Sequence, residues 1–192
     1  SVTPADISSF KNEVRIISFL GRLVYSYKDR YILTANFRRD GSSKFGTNNR
    51  WGNFPSAAIA WRISNESFMS ENRWLDLKLR ASYGLTGNQE SLPPNNYQTL
   101  YGPAGPYYLN GSYGQSYGVV QEGNPDLKWE VRKSLNIGLD FSLWSDRISG
   151  MIDVFSDETS DMLFLYNIPQ PPFVTNQAYA NAATATNKGV EL

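Results

Sequence analysis

Asp157 and Glu158 are the residues of this chain best suited by type to catalysis, because a pair of carboxylates is the working machinery of glycoside hydrolysis. The chain contains no cysteine and no histidine. That removes thiolate nucleophiles, disulfides, thiolate and imidazole metal ligands, Ser-His-Asp triads and the usual general base near neutral pH. Carboxylates would have to act alone. Adjacent residues of a strand point to opposite faces, so Asp157 and Glu158 are poorly placed to meet at one bond. Asp157, Glu158 and Asp161 also make a faint calcium candidate, since calcium gathers several oxygen ligands from one loop. The expectation is a chain that is not an enzyme and holds no cofactor or resident metal.

Stacking is the second chemistry on offer. Tyr97, Tyr101, Tyr107, Tyr108, Tyr113 and Tyr117 fall in one stretch rich in Gly, Pro and Asn. Aromatic faces suit the C–H surfaces of sugars, and tyrosine is ordered at low entropic cost. Packing of the stretch upon itself, or against a protein partner, is an equally good use of the same rings.

The third is a charged wall. Arg22, Arg62, Lys78, Arg80, Glu130, Arg132, Asp140 and Asp153 all fall on the polar parity of alternating segments. They would line a path for solute or, better, form cross-strand ladders of opposite charge. Arg38, Asp40 and Arg50 flank an Asp-Gly-Ser-Ser loop. Arg38 joins the residues expected to face a hydrated interior. The loop itself is best read as turn architecture, with Asp and Ser capping and Gly41 and Gly46 at positive φ.

The elements that must position these groups are strands, because alternation with a period of two dominates the chain. Strands are expected near 19–27, 31–39, 54–63, 76–87, 127–143, 147–157 and 188–192, with loops near 40–53, 88–126 and 158–187. One helical turn is expected between Ser64 and Trp74. In the fifth segment Trp129, Val131, Leu135, Ile137, Leu139, Phe141 and Leu143 face one way, with Glu130, Arg132, Ser134, Asn136, Gly138, Asp140 and Ser142 opposite. Every second connection is the shorter one. Outer-membrane barrels segregate tight periplasmic turns from long extracellular loops in this manner, and a soluble sandwich has no reason to. Arg39 and Lys133, the charges on the apolar parity, each lie about ten residues from a short turn, where a membrane-crossing strand leaves the hydrocarbon. There they can snorkel to the interface. Tyr25, Tyr27, Tyr31, Trp61, Phe141 and Trp144 gather near the short turns, as an aromatic girdle would.

Bulk properties agree. Net formal charge is zero, which gives no pointer to nucleic acid. No apolar run approaches the roughly 18 residues of a membrane-spanning helix. The negative mean hydropathy suits strands that show one face to lipid and the other to water. The fold class expected is therefore all-β: residues 1–192 form part of an antiparallel transmembrane β-barrel. Six strands and the start of a seventh do not reach the roughly eight of the smallest barrels. A segment of a larger barrel follows. A soluble β-sandwich acting as a carbohydrate-binding module is the alternative.

Five motifs in order carry a family resemblance. They are Gly21-Arg22-Leu23-Val24-Tyr25-Ser26-Tyr27-Lys28-Asp29-Arg30-Tyr31, Arg38-Arg39-Asp40-Gly41-Ser42-Ser43-Lys44-Phe45-Gly46 and Trp51-Gly52-Asn53-Phe54-Pro55-Ser56. Leu77-Lys78-Leu79-Arg80-Ala81-Ser82-Tyr83-Gly84-Leu85-Thr86-Gly87-Asn88 and Asn124-Pro125-Asp126-Leu127-Lys128-Trp129-Glu130 complete the set. Together they resemble the SusC/RagA family of TonB-linked outer-membrane transporters of Bacteroidota. The resemblance implies a barrel of about 22 strands around a plug, of which this chain would be a middle-to-late part. It further implies a SusD-like surface lipoprotein as partner, energy supplied through TonB-ExbB-ExbD, a setting of outer-membrane lipid, and glycans or oligopeptides as substrate. Plug and TonB-contacting segments are expected elsewhere.

Overall fold

The computed structural model describes residues 11–69 and 74–192. Nine strands run in chain order: β1 (Ile16–Tyr27), β2 (Tyr31–Ser42), β3 (Trp51–Arg62), β4 (Leu75–Asn88), β5 (Leu100–Leu109), β6 (Ser112–Gln121), β7 (Glu130–Leu143), β8 (Ile148–Asn167) and β9 (Gln177–Glu191). Seven form one antiparallel sheet in the order β1-β2-β3-β4-β7-β8-β9. Each strand pairs with its predecessor in the chain, except that β5 and β6 form a separate hairpin between β4 and β7.

Register fixes the two faces. Tyr25, Leu33, Ile59, Ala81, Ile137, Val154 and Val190 stand in one row across all seven strands. Ser26, Ile32, Ala60, Arg80, Gly138, Asp153 and Glu191 form the neighbouring row on the other face. A slip of one residue anywhere would exchange the faces, so the alternating pattern specifies the register strongly. The apolar face lies open: Leu23 is 64 % exposed, Ile59 52 % and Val154 52 %. Among the described residues no second sheet covers it.

Several boundaries differ from expectation. The 88–126 stretch is not a structureless loop, since it holds the β5–β6 hairpin. Asn110 and Gly111 turn it with φ of 52° and 83°, the left-handed pair that a tight hairpin needs. The 158–187 stretch is mostly strand: β8 continues to Asn167 and β9 begins at Gln177, not near 188. A bulge between Thr159 and Leu163, with Asp161 at φ 57°, lets the pair continue past a break in register. β7 begins at Glu130, and Trp129 turns away from the outward row assigned to it. Two 3-10 turns, Ile63–Asn65 and Ser67–Met69, replace the single helical turn after β3. Residues 70–73 of that connection lie outside the described residues.

The buried core sits at the long-loop end of the sheet. Phe45, Phe54, Leu92, Leu127, Trp129 and Leu163 close there into one cluster. Trp129 belongs to it because its ring packs on Phe45 (5.1 Å between centroids) and edge-on to Phe54 (5.5 Å). Its Nε1 donates to the Arg50 carbonyl at 3.1 Å. Connecting segments are thereby tied down over the charged face, while the middle of the sheet carries no such cover.

Candidate functional site

The apolar face is bounded at both ends. At the short-turn end Tyr27, Tyr31 and Trp61 share a row, and Tyr31 stacks on Trp61 at 6.4 Å. The Trp144 amide donates to the Trp74 carbonyl at 2.7 Å, which adds a tryptophan the alternation did not single out. At the other end Phe19 stacks on Trp51 at 6.1 Å, with the Arg39 guanidinium over the same indole at 5.2 Å. Lys133 pairs with Glu158 at 2.9 Å on this face. From Tyr31 to Arg39 the strand runs about 27 Å. At a tilt of about 40° that covers about 20 Å of depth, close to the apolar band of an outer-membrane barrel.

The opposite face carries a ladder of charges. Lys78 Nζ lies 3.1 Å from Asp140, and Arg80 reaches Asp140 at 2.7 Å and Asp153 at 3.2 Å. Asp153 belongs to β8, two strands from Arg80, and β7 passes between them with Gly138 at the crossing. A Cβ there would lie 2.3 Å from Asp153 Oδ1 and 2.7 Å from Arg80 Nη2. Further along, Arg132 pairs with Asp157, and the Asn88 amide donates to Glu130 at 3.1 Å. Arg22 stands opposite Asn36 on this face. Arg62 lines a cavity of about 300 Å³ with Asn65, Asp76, Lys78 and Asp140. Arg38 grips the buried Asp40 at 2.7 Å. The nine sequence-predicted residues thus share one face but not one spot.

Beside Arg38 and Asp40, at the loop end, opens a larger cavity of about 610 Å³ lined also by Lys44, Phe54, Gln89 and Glu90. Lys44 Nζ donates to the Gln89 carbonyl at 3.1 Å. Burial lowers the Lys44 pKa below its ordinary value, with the Glu90 charge opposing. Gln89 Oε1 is buried with no hydrogen-bond partner among the described residues. Lys44 and Gln89 are functional candidates that sequence reasoning passed over, because nothing in their spacing joins positions 44 and 89. Neither Gly41 nor Gly46 adopts the positive φ expected of it. Close approach explains them instead: a Cβ on Gly41 would meet the Trp51 ring at 2.9 Å, and one on Gly46 the Pro125 carbonyl at 2.8 Å.

At the short-turn end the carboxylate of Glu66 accepts from Tyr31 Oη (2.7 Å), Trp61 Nε1 (3.0 Å) and Arg30 Nη1 (3.1 Å). The Tyr31 hydroxyl, then the Trp61 indole, hold this nearly buried carboxyl below its ordinary pKa, against the effect of burial.

The predicted tyrosines divide over the hairpin. Tyr101, Tyr108, Tyr113 and Tyr117 share one face with Pro103 and Pro106, as the pairing of Tyr108 with Tyr113 and of Pro103 with Tyr117 requires. Tyr108 and Tyr113 touch at 5.0 Å, and Tyr113 is 79 % exposed. Tyr107 lies on the other face over Gly114, where a Cβ would be 2.7 Å from its ring. Tyr97 sits half-buried before β5, its hydroxyl accepting from Gln98 Nε2 at 3.0 Å.

The carboxylates first considered for chemistry do not converge. Asp157 faces the charged side with Arg132, Glu158 the apolar side with Lys133, and Asp161 pairs with Lys128 at 3.0 Å. Each acid is spent on its own cation.

A family model described as TonB dependent receptor-like, beta-barrel matches residues 2–192. A TonB-dependent receptor of Formosa agariphila is 40 % identical over 176 residues, covering 91 % of this chain and 16 % of the relative. The TonB-dependent receptor SusC of Bacteroides thetaiotaomicron is 38 % identical over 181 residues, covering 92 % and 18 %. The solved RagAB peptide importer in its open-open state superposes with a TM-score of 0.82 at 32 % identity, covering 92 % of this chain and 19 % of that one. A siderophore receptor of Pseudomonas aeruginosa, PirA, shares the fold at a TM-score of 0.57 and 18 % identity. The chain spans less than a fifth of the length of the curated relatives it matches.

Proposed function

The chain belongs to the TonB-dependent receptor β-barrel family, SusC among its relatives, and from that premise we propose that the whole receptor imports glycans or oligopeptides across the bacterial outer membrane. A SusD-like surface lipoprotein would lid the barrel, and TonB-ExbB-ExbD would supply the energy. The relatives are receptors and an importer, not enzymes. One observation carries the reading for this segment: a single register places apolar side chains on one face of all seven strands and most of the charges on the other, with Arg39 and the Lys133–Glu158 pair at the long-loop rim of the apolar face. Lipid on one side and a hydrated lumen on the other satisfy both faces at once.

Within that reading the long-loop end is extracellular. Tyr101, Tyr108, Tyr113 and Tyr117 would stack on substrate or lid, with Tyr97 and Tyr107 shaping the hairpin beneath them. Lys78, Arg80, Arg132 and Asp140 form a paired lumenal wall. Arg38 and Glu130 are held by Asp40 and Asn88, and Arg22 and Arg62, which hold no ion pair among the described residues, would be the groups left to meet plug or solute. The buried acceptor on Gln89 suits a donor from either.

Sidedness is the test. In the full-length receptor, Tyr113→Cys should react with a membrane-impermeant maleimide in intact cells, and Asp29→Cys only after the outer membrane is breached. Equal labelling of both in intact cells would refute the topology. Growth on glycan or peptide as sole carbon source, with the receptor gene deleted, then separates the two substrate classes.

A further inference from the structure

The two edges of the β5–β6 hairpin are not alike. The tight turn at Asn110-Gly111 makes Leu109 and Ser112 a hydrogen-bonded pair, and alternation then places Tyr108–Tyr113 and Pro106–Gln115 at non-bonded positions. At a non-bonded position the backbone N–H and C=O point away from the partner strand. On β5 two such places are held by proline, Pro106 and, beyond the bulge, Pro103, so that edge lacks those N–H donors. On β6 the corresponding residues are Tyr113, Gln115, Tyr117 and Val119, each aiming outward an N–H and C=O that are unpaired among the described residues. Among the described residues no other strand lies along this edge.

A row of donors and acceptors alternating at the strand repeat is matched by one kind of ligand, an extended polypeptide backbone. Sugars carry hydroxyls but not that repeat. The hairpin also needs support, because an isolated pair of strands is marginal in water and a third strand restores stability. A transient solute cannot supply standing support, whereas a resident protein can. We propose that the β6 edge is a strand-addition site for an extended segment of the protein lid, its alternate side chains lying beside Tyr113 and Tyr117. The inference rests on the reading above in taking a surface lipoprotein to be that lid.

The test uses the full-length receptor extracted from outer membranes with the lipoprotein bound and, separately, from cells lacking the lipoprotein. The amides of Tyr113, Gln115, Tyr117 and Val119 should exchange hydrogen about a hundredfold more slowly in the complex. Gln115→Pro, which removes one edge N–H and the side-chain bond from Gln115 Nε2 to the Gly105 carbonyl but leaves the backbone bonds to β5 intact, should weaken retention of the lipoprotein about tenfold. Gln115→Ala should not. Amides that stay fast in an intact complex overturn the proposal alone, as does equal protection in both preparations. Protection that appears only on adding a peptide mixture assigns the edge to substrate and likewise overturns it. A receptor that carries no such lipoprotein sinks the parent reading and this proposal together.

Discussion

Arg80 reaches Asp153 across the backbone of an intervening strand, at 3.2 Å, through the space that Gly138 leaves open. The contact joins β4 to β8 without involving any β7 side chain. Gly138 is thus a condition of the ladder, in a strand interior where glycine otherwise weakens pairing.

Gly138→Val should expel Arg80 from this position and leave Asp153, only 10 % exposed in its side chain, without its cation. The expected cost is about 2 kcal/mol, below the value for a fully buried pair because Arg80 itself is a third exposed. Urea unfolding of the full-length barrel in detergent, followed by tryptophan fluorescence, measures it. Arg80→Met should cost as much, and the double variant little more than either alone.

Phe54 occupies the space above two glycines. A Cβ on Gly87 would lie 2.0 Å from its ring, and one on Gly52 2.4 Å. Gly87→Ala should therefore drive Phe54 out of the cluster with Trp129 and cost about 1–3 kcal/mol. Gly21→Ala, with nothing within 4 Å of the added carbon, should change unfolding little. Equal midpoints for the two variants would contradict the packing described.

Ile137 and Asn136 are neighbours on opposite faces of β7. Ile137→Arg should cost about 2–4 kcal/mol of barrel stability, the penalty for a cation on lipid near mid-depth. Asn136→Arg should be tolerated within about 1 kcal/mol, since that face is hydrated. The reverse ranking, read from the same unfolding curves, would invert inside and outside.

Glu66 is stabilised as the anion by Tyr31 and Trp61, so its folded-state pKa lies below the unfolded one. Such a group contributes stability that is complete above the unfolded value, about 4.3, and is lost as pH falls through it toward the folded value. Between about pH 5 and about pH 3 the parent should lose more stability than Glu66→Gln does. Parallel slopes in thermal melting across that window would remove Glu66 from the account.

The regular wall was legible because β1 to β4 and β7 alternate large apolar with polar residues, as in Leu77 to Thr86. Contrast of this kind disappears where both faces are wet. From Ala180 to Asn187 the strand is Ala, Asn and Thr on either parity, and its register on β8 comes mainly from backbone pairing. Pro103 and Pro106 hid β5 by breaking the strand pattern, although Asn110-Gly111 was there to be read as a hairpin turn. Trp129 lies off the outward row because the alternation of β7 holds only from Glu130 onward. The Arg80–Asp153 and Lys44–Gln89 contacts join positions 73 and 45 residues apart. Single-strand periodicity can place such residues on a face but cannot pair them.

Lys78, Arg80 and Arg132 are answered one for one by Asp140, Asp153 and Asp157. Such a surface sums to no sign, and at a few ångströms its field has largely cancelled. On the import reading proposed above, solutes passing this ladder would be neither drawn in nor held back by its charges, and transit along it would be indifferent to ionic strength. On that reading, selection among cargoes would fall to the groups that stand at the mouth.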